Sequence, residues 1–175
     1  ETEFGRGALL ANRLTKTGVR FVQVNRGGFD NHSNIFQAMR GHGAVMDPAL
    51  AALIGDLATD GRLEKTLVMV LSEFGRTPRI NDGGGRDHHA RCFSCLMAGG
   101  GIKGSTVIGS SDEDGINPGE NPVKPLDLHA TLCHALGVDY TREMTTPLGR
   151  PIQLIKKGAS PISGLFSYQA LPLNA

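Results

Sequence analysis

Three short stretches of the sequence hold the side chains that can do chemistry. GGFDNH carries Asp30 and His32, SEFGRTPR carries Glu73, Arg76 and Arg79, and GGGRDHHARC, residues 83–92, carries Asp87, His88 and His89. Imidazoles together with carboxylates are the inventory of a metal site. Oxygen and nitrogen donors without thiolate favour a catalytic divalent ion, zinc first, with manganese, magnesium or calcium as alternatives. Asp30 and His32 are two apart, so extended backbone points both the same way, as two ligands of one ion require. Adjacent His88 and His89 cannot both face one ion from an extended segment, and spacing alone does not choose between them. We expect Asp30, His32, Glu73, Asp87 and His88 to hold or orient the ion, with Arg76 and His89 as the catalytic groups. A guanidinium grips phosphate or sulfate oxygens in a bidentate way that lysine does not, so Arg76 and Arg79 point to an anionic ester.

Each cluster alone has a simpler use. Asp30 suits a turn after Gly27 and Gly28, Glu73 suits a pair with Arg76, and GRDHH suits a solvated loop. Their common placement is what favours chemistry. In an open α/β sheet, ligands gather at the carboxyl ends of strands, and all three stretches follow strand-like runs. VRFVQVN, residues 19–25, alternates as a strand and meets the turn RGG, while TLVMVLSEF, residues 66–74, is a nearly continuous apolar run suited to a strand covered on both faces. CFSCLMAGG then returns the chain to the interior as a third strand.

Helical spacing of Phe4, Ala8, Ala11 and Leu14 predicts a first helix over residues 3–16, stopped at Gly18. A second is predicted over residues 45–57 and a third in LDLHATLCHALGV, each ending near a glycine cap. STVI between Gly104 and Gly109 reads as a small β excursion, and TTPLGRPIQLI as a last short strand. Strand, helix, strand, long loop and strand together predict an α/β layered domain over residues 1–157. Residues 158–175, small and proline-containing, are expected to be poorly ordered or to dock as a tail. His42, His129 and His134 read as surface or satisfied core histidines.

With 175 residues the chain fits one domain, and eighteen basic against seventeen acidic side chains exert no general pull on nucleic acid or anionic membrane. Any anion binding must therefore be local. No apolar stretch approaches the roughly 18 residues that span a bilayer, so no membrane insertion is expected. Cys92, Cys95 and Cys133 are too few for a disulfide framework. A thiol redox role for Cys92 and Cys95 lacks the βαβ setting it needs. There is no GxSxG elbow, Walker loop or GxGxxG turn, which ranks serine hydrolysis and nucleotide binding low.

The string GVRFVQV, GGFDNH, LVMVLSEFGRTPRIN, GRDHH and LMAGGGIKG is similar to the bacterial proteins grouped as domain of unknown function 1501, within the alkaline phosphatase and sulfatase-like superfamily. SEFGRTP followed by GRDHH is the most specific part of that resemblance, which covers residues 4–156. It implies a layered α/β sandwich with a mainly parallel central sheet and a one- or two-metal site that hydrolyses phosphate or sulfate esters, including sulfated glycans. Asp30 and His32 match the superfamily's first ligand group, Glu73 falls where an Asp-His pair would start, and His88 or His89 matches the last histidine. Phe74 stands where that pair's histidine would fall, which removes a ligand from a second metal. The resemblance further implies a carboxyl-terminal portion, incomplete at its N-terminus and expected to be inactive alone, whose relatives supply an earlier aspartate and a serine or threonine nucleophile. It also implies an extracytoplasmic location. The alternative is a non-catalytic binding or surface-assembly module on the same fold, which Phe74 favours.

Overall fold

The computed structural model describes residues 2–167. Helix α1, Glu3–Lys16, begins where the Thr2 hydroxyl accepts the Gly5 N–H at 3.1 Å, with Glu3 in the first turn and Arg13 and Lys16 in the last. These charges complement the helix dipole at both ends. Gly18, at φ +91°, turns the chain out of the helix, a conformation that glycine adopts without penalty.

Helix α2 runs Ile35–Thr59, beginning well before the predicted Val45. It passes through Gly41, Gly43 and Pro48, residue types that weaken a helix interior. Its first turn is fixed from outside. Asn34 sits in the left-handed region at φ 50°, and the Ile35 N–H donates to the Gly84 carbonyl at 2.9 Å. A distant loop thus satisfies a donor that the helix end leaves open.

The two helices are tied by a polar clamp. The buried Asn12 amide donates to Asp56 Oδ2 at 2.8 Å, and Arg62, beyond the end of α2, donates to Thr15 Oγ1 at 2.8 Å, to Asp60 at 2.7 Å and to Asn12 Oδ1. Leu57 is 1 % exposed beneath it. A 3₁₀ turn, Leu63–Lys65, leads into strand β1, Leu67–Val70.

β1 pairs antiparallel with β4, Leu96–Gly99, in the register Val68↔Ala98. Gly99 fits because a Cβ there would lie 2.4 Å from the Leu63 carbonyl oxygen. Between them, β2, Gly75–Arg76, and β3, His88–His89, form a second antiparallel pair. Helix α3, Pro125–Ala135, follows, and β5, Glu143–Thr145, closes on β6, Pro151–Gln153, where a single last strand was predicted.

All pairings among the described strands are antiparallel and two-stranded, and the mainly parallel central sheet is not among them. An apolar run such as TLVMV encodes burial on both faces but not strand direction, so its sequence suits either pairing. VRFVQVN joins no ladder, though its burial alternates from Phe21 to Asn25. Its inner face packs on α1, where a Cβ on Gly7 would come within 2.8 Å of Val24 Cγ1. STVI forms no ladder either, and the nearby bridge is Ser111 to Pro118. Up to Ser167 the tail docks: Ile162 N–H donates to Thr131 Oγ1 at 2.9 Å, Lys103 N–H to the Leu165 carbonyl at 2.8 Å, and Leu165 is buried. The rest of that tail, residues 168–175, lies outside the described residues. Among the described residues no helix is long and apolar enough to cross a membrane.

Candidate metal centre

The loop before α2 delivers Asp30 and His32, and His42 reaches back from α2 to hold it. The His42 Nε2–H donates to the Gly28 carbonyl at 2.8 Å, Arg26 Nη2 donates to His42 Nδ1 at 3.2 Å, and the imidazole stacks on Phe29 with centroids 4.0 Å apart. The second wall is the β2–β3 hairpin and its connection. Arg86 closes that connection by donating to the Thr77 carbonyl at 2.6 Å and to the Pro78 carbonyl.

The glycines of GGGRDHHARC bring the two walls together. A Cβ on Gly85 would lie 2.0 Å from the His32 carbonyl carbon, so only glycine lets the loop backbone rest on His32 and Ser33. Ser33 bridges to Gly84 at the same place, and Arg86 N–H donates to the Asn31 carbonyl at 3.2 Å.

Three donors converge on one oxygen. Asp30 Oδ1 lies 2.7 Å from His88 Nε2, 2.8 Å from Arg76 Nη2 and 3.0 Å from His32 Nε2. The His88 and Arg76 hydrogen bonds hold the Asp30 carboxyl far below the usual carboxylate range. Behind His32, its Nδ1–H donates to Asp87 Oδ1 at 2.6 Å, and that bond raises the imidazole above its ordinary value. The same bond, with a second from Asn81, holds Asp87 down. Electrostatics therefore favour carboxylates around paired histidines. The cluster opens to solvent, with side chains of His32 and His88 48 % and 51 % exposed, which leaves room for a substrate.

The residues fit a divalent ion. Asp30, His32 and His88 each offer one donor atom, and these atoms lie within 4.8 Å of one another. One carboxylate oxygen with two imidazole nitrogens is the donor set of open catalytic zinc sites. The proton that each Nε2 shares with Asp30 is what a cation replaces on binding. His32 already has the further partner such ligands need, with its remaining ring N–H held by a carboxylate.

The placement of the expected residues is clear. Asp30, His32 and His88 come together, Asp87 orients His32 from behind, and Arg76 grips Asp30 with its guanidinium carbon 5.7 Å from the Phe74 ring centroid. Successive residues of a strand face opposite ways, and in the hairpin Arg76 pairs with His88 while Gly75 pairs with His89. His89 accordingly turns away, its Nε2–H donating to the Ile116 carbonyl at 2.7 Å. Glu73 is exposed and lies outside the donor group. Phe74, beside it, packs on His88 with centroids 4.5 Å apart. Arg79 is exposed, and its backbone carbonyl accepts the Thr77 hydroxyl at 2.9 Å.

Sequence reasoning missed Asn81 and Arg86, while His42, read as a surface or satisfied histidine, has partners on both ring nitrogens. Asn81 carries the one readable signal: an asparagine followed by a glycine run is an Asx-turn signature. The three cysteines are free thiols, and partial burial pushes Cys95 upward, away from the thiolate that redox chemistry uses.

No curated protein and no solved structure matches this chain. Residues 1–166 match the family model described as Protein of unknown function (DUF1501), and the chain belongs to that family.

Proposed function

We propose that the chain is the metal-binding part of a hydrolase acting on phosphate or sulfate esters, related to the alkaline phosphatase and sulfatase-like proteins. The observation that carries this reading is the convergence of Asp30, His32 and His88, with Arg76 on the same carboxylate oxygen. Asp30, His32 and His88 would hold a divalent ion, zinc by donor chemistry. When bound, the ion polarises an ester oxygen and lowers the pKa of an attacking water or hydroxyl. Arg76 stands where it can exchange one Asp30 contact for a bidentate grip on the anionic group. Asp87 keeps the His32 proton on Nδ1. Net hydrolysis adds water across the ester bond, giving the free alcohol and phosphate or sulfate. The reading carries with it the layered α/β sandwich of that superfamily and an extracytoplasmic setting, both from the resemblance alone.

The test is metal content and turnover. Purified protein is expected to hold near-stoichiometric zinc, and the full-length parent to cleave aryl phosphates or aryl sulfates. Asp30→Ala and His88→Ala should each drop bound metal below about a tenth of an equivalent. Metal below that level in the unsubstituted protein overturns the proposal. A second reading, a non-catalytic binding module, is favoured by Phe74 and by Glu73 lying outside the donor group, which leave three donors. Metal binding by the full-length parent without turnover of any ester in a broad panel decides for it.

A further inference from the structure

We infer that Asn81 is a positioning residue for the metal centre, fixing Asp87 and the His32 backbone so that His32 presents Nε2 to the ion. This rests on the metal-site reading above. The Asn81 side chain makes four hydrogen bonds that join three segments. Its Oδ1 accepts from the Gly83 N–H at 3.0 Å and the Gly85 N–H at 2.9 Å. Its Nδ2 donates to the His32 carbonyl at 3.1 Å and to Asp87 Oδ1 at 3.1 Å.

The amide cannot turn over. A flip would set its NH₂ against two backbone N–H groups and its oxygen against a carbonyl and a carboxylate, losing all four bonds. Asp87 Oδ1 is therefore aimed by one fixed donor while it accepts the His32 Nδ1–H at 2.6 Å. With the Nδ1 proton committed to Asp87, the ring nitrogen that gives up its proton to a cation is Nε2, the atom facing Asp30 at 3.0 Å. Partners of this kind set ligand orientation, and their loss typically costs about 10- to 100-fold in metal affinity.

Asn81→Asp separates positioning from loop support. The aspartate keeps the acceptor for Gly83 and Gly85 but loses both donors and faces Asp87 with a like charge. Its added charge alone would tighten cation binding, so a loss reports the lost aim. Zinc affinity is expected to fall about 10- to 100-fold in Asn81→Asp and in Asn81→Ala, while Asn81→Asp keeps the circular dichroism of the unsubstituted chain. Long-range ¹H–¹⁵N spectra of zinc-loaded, unsubstituted protein should show His32 protonated on Nδ1 and metal-bound through Nε2. The reverse assignment overturns the inference, even if both variants fail to fold. Asn81→Asp binding zinc as tightly as the unsubstituted chain overturns it too, and leaves the metal reading standing. If the unsubstituted chain binds no zinc, the metal reading fails first and takes this inference with it.

Discussion

Asp30 is the residue on which the centre turns, because one of its oxygens takes two imidazoles and a guanidinium at 3.0 Å or less. Spacing left the choice between His88 and His89 open, and the hairpin register turns His88 toward Asp30. His89→Ala is expected to leave zinc affinity within about two-fold of the unsubstituted chain, whereas His88→Ala removes a direct ligand and with it most of the bound metal. Isothermal titration on the pair checks this, and equal losses would contradict the register argument. Gly85 gives a second residue-scale prediction. With a Cβ placed 2.0 Å from the His32 carbonyl carbon, Gly85→Ala must push the loop off the ligand segment. Expected are about 2 kcal/mol of lost stability by chemical denaturation and weaker zinc binding in the same variant. In sequence, GGG signals only a turn; close approach to His32 is a fact about a partner fifty-odd positions away.

At the scale of elements, α1 matches its sequence reading from Glu3 to Lys16, since its cap, periodicity and glycine stop are all local. The start of α2 was not legible, because the carbonyl that satisfies Ile35 belongs to Gly84. Arg62 is the element-scale test. Its guanidinium bridges Asn12, Thr15 and Asp60 across the α1–α2 junction with only 23 % of the side chain exposed. Arg62→Ala should cost about 2 kcal/mol by leaving part-buried acceptors unpaired. The junction is also acid-sensitive. Arg62, then Lys16, hold the Asp60 carboxyl below its ordinary value, so the folded chain keeps Asp60 ionised more readily than the unfolded one. That contribution is full above the unfolded value near pH 4, and is lost as pH falls through the lower folded value. Melting curves of the unsubstituted chain and Asp60→Asn should therefore converge as pH drops below about 4 and stay separate at neutral pH.

At the scale of the whole molecule, the chain exposes 12378 Å². A folded monomer of 18.6 kDa ordinarily exposes about 8,200 Å². Phe21 is 74 % exposed, and the buried apolar set is small residues and a few leucines and isoleucines. Contacts that join distant segments therefore matter more than usual, and the candidate metal centre joins residues 30–32 to residue 88. Zinc at about 100 times its dissociation constant should stabilise the fold by about 2.7 kcal/mol, seen as a melting temperature several degrees higher and reversed by a chelator. A melting temperature indifferent to zinc would mean that these segments are not held by an ion. Local chemistry was legible from the residues alone: the family, the extent of α1, and a carboxylate–histidine inventory in three stretches, since caps, periods and residue types are short-range properties. The rest came from long-range contacts. Strand direction, the start of α2, the roles of Asn81 and His42, and the turning of His88 toward Asp30 all depend on partners supplied by distant segments. No local pattern encodes which of those partners arrives.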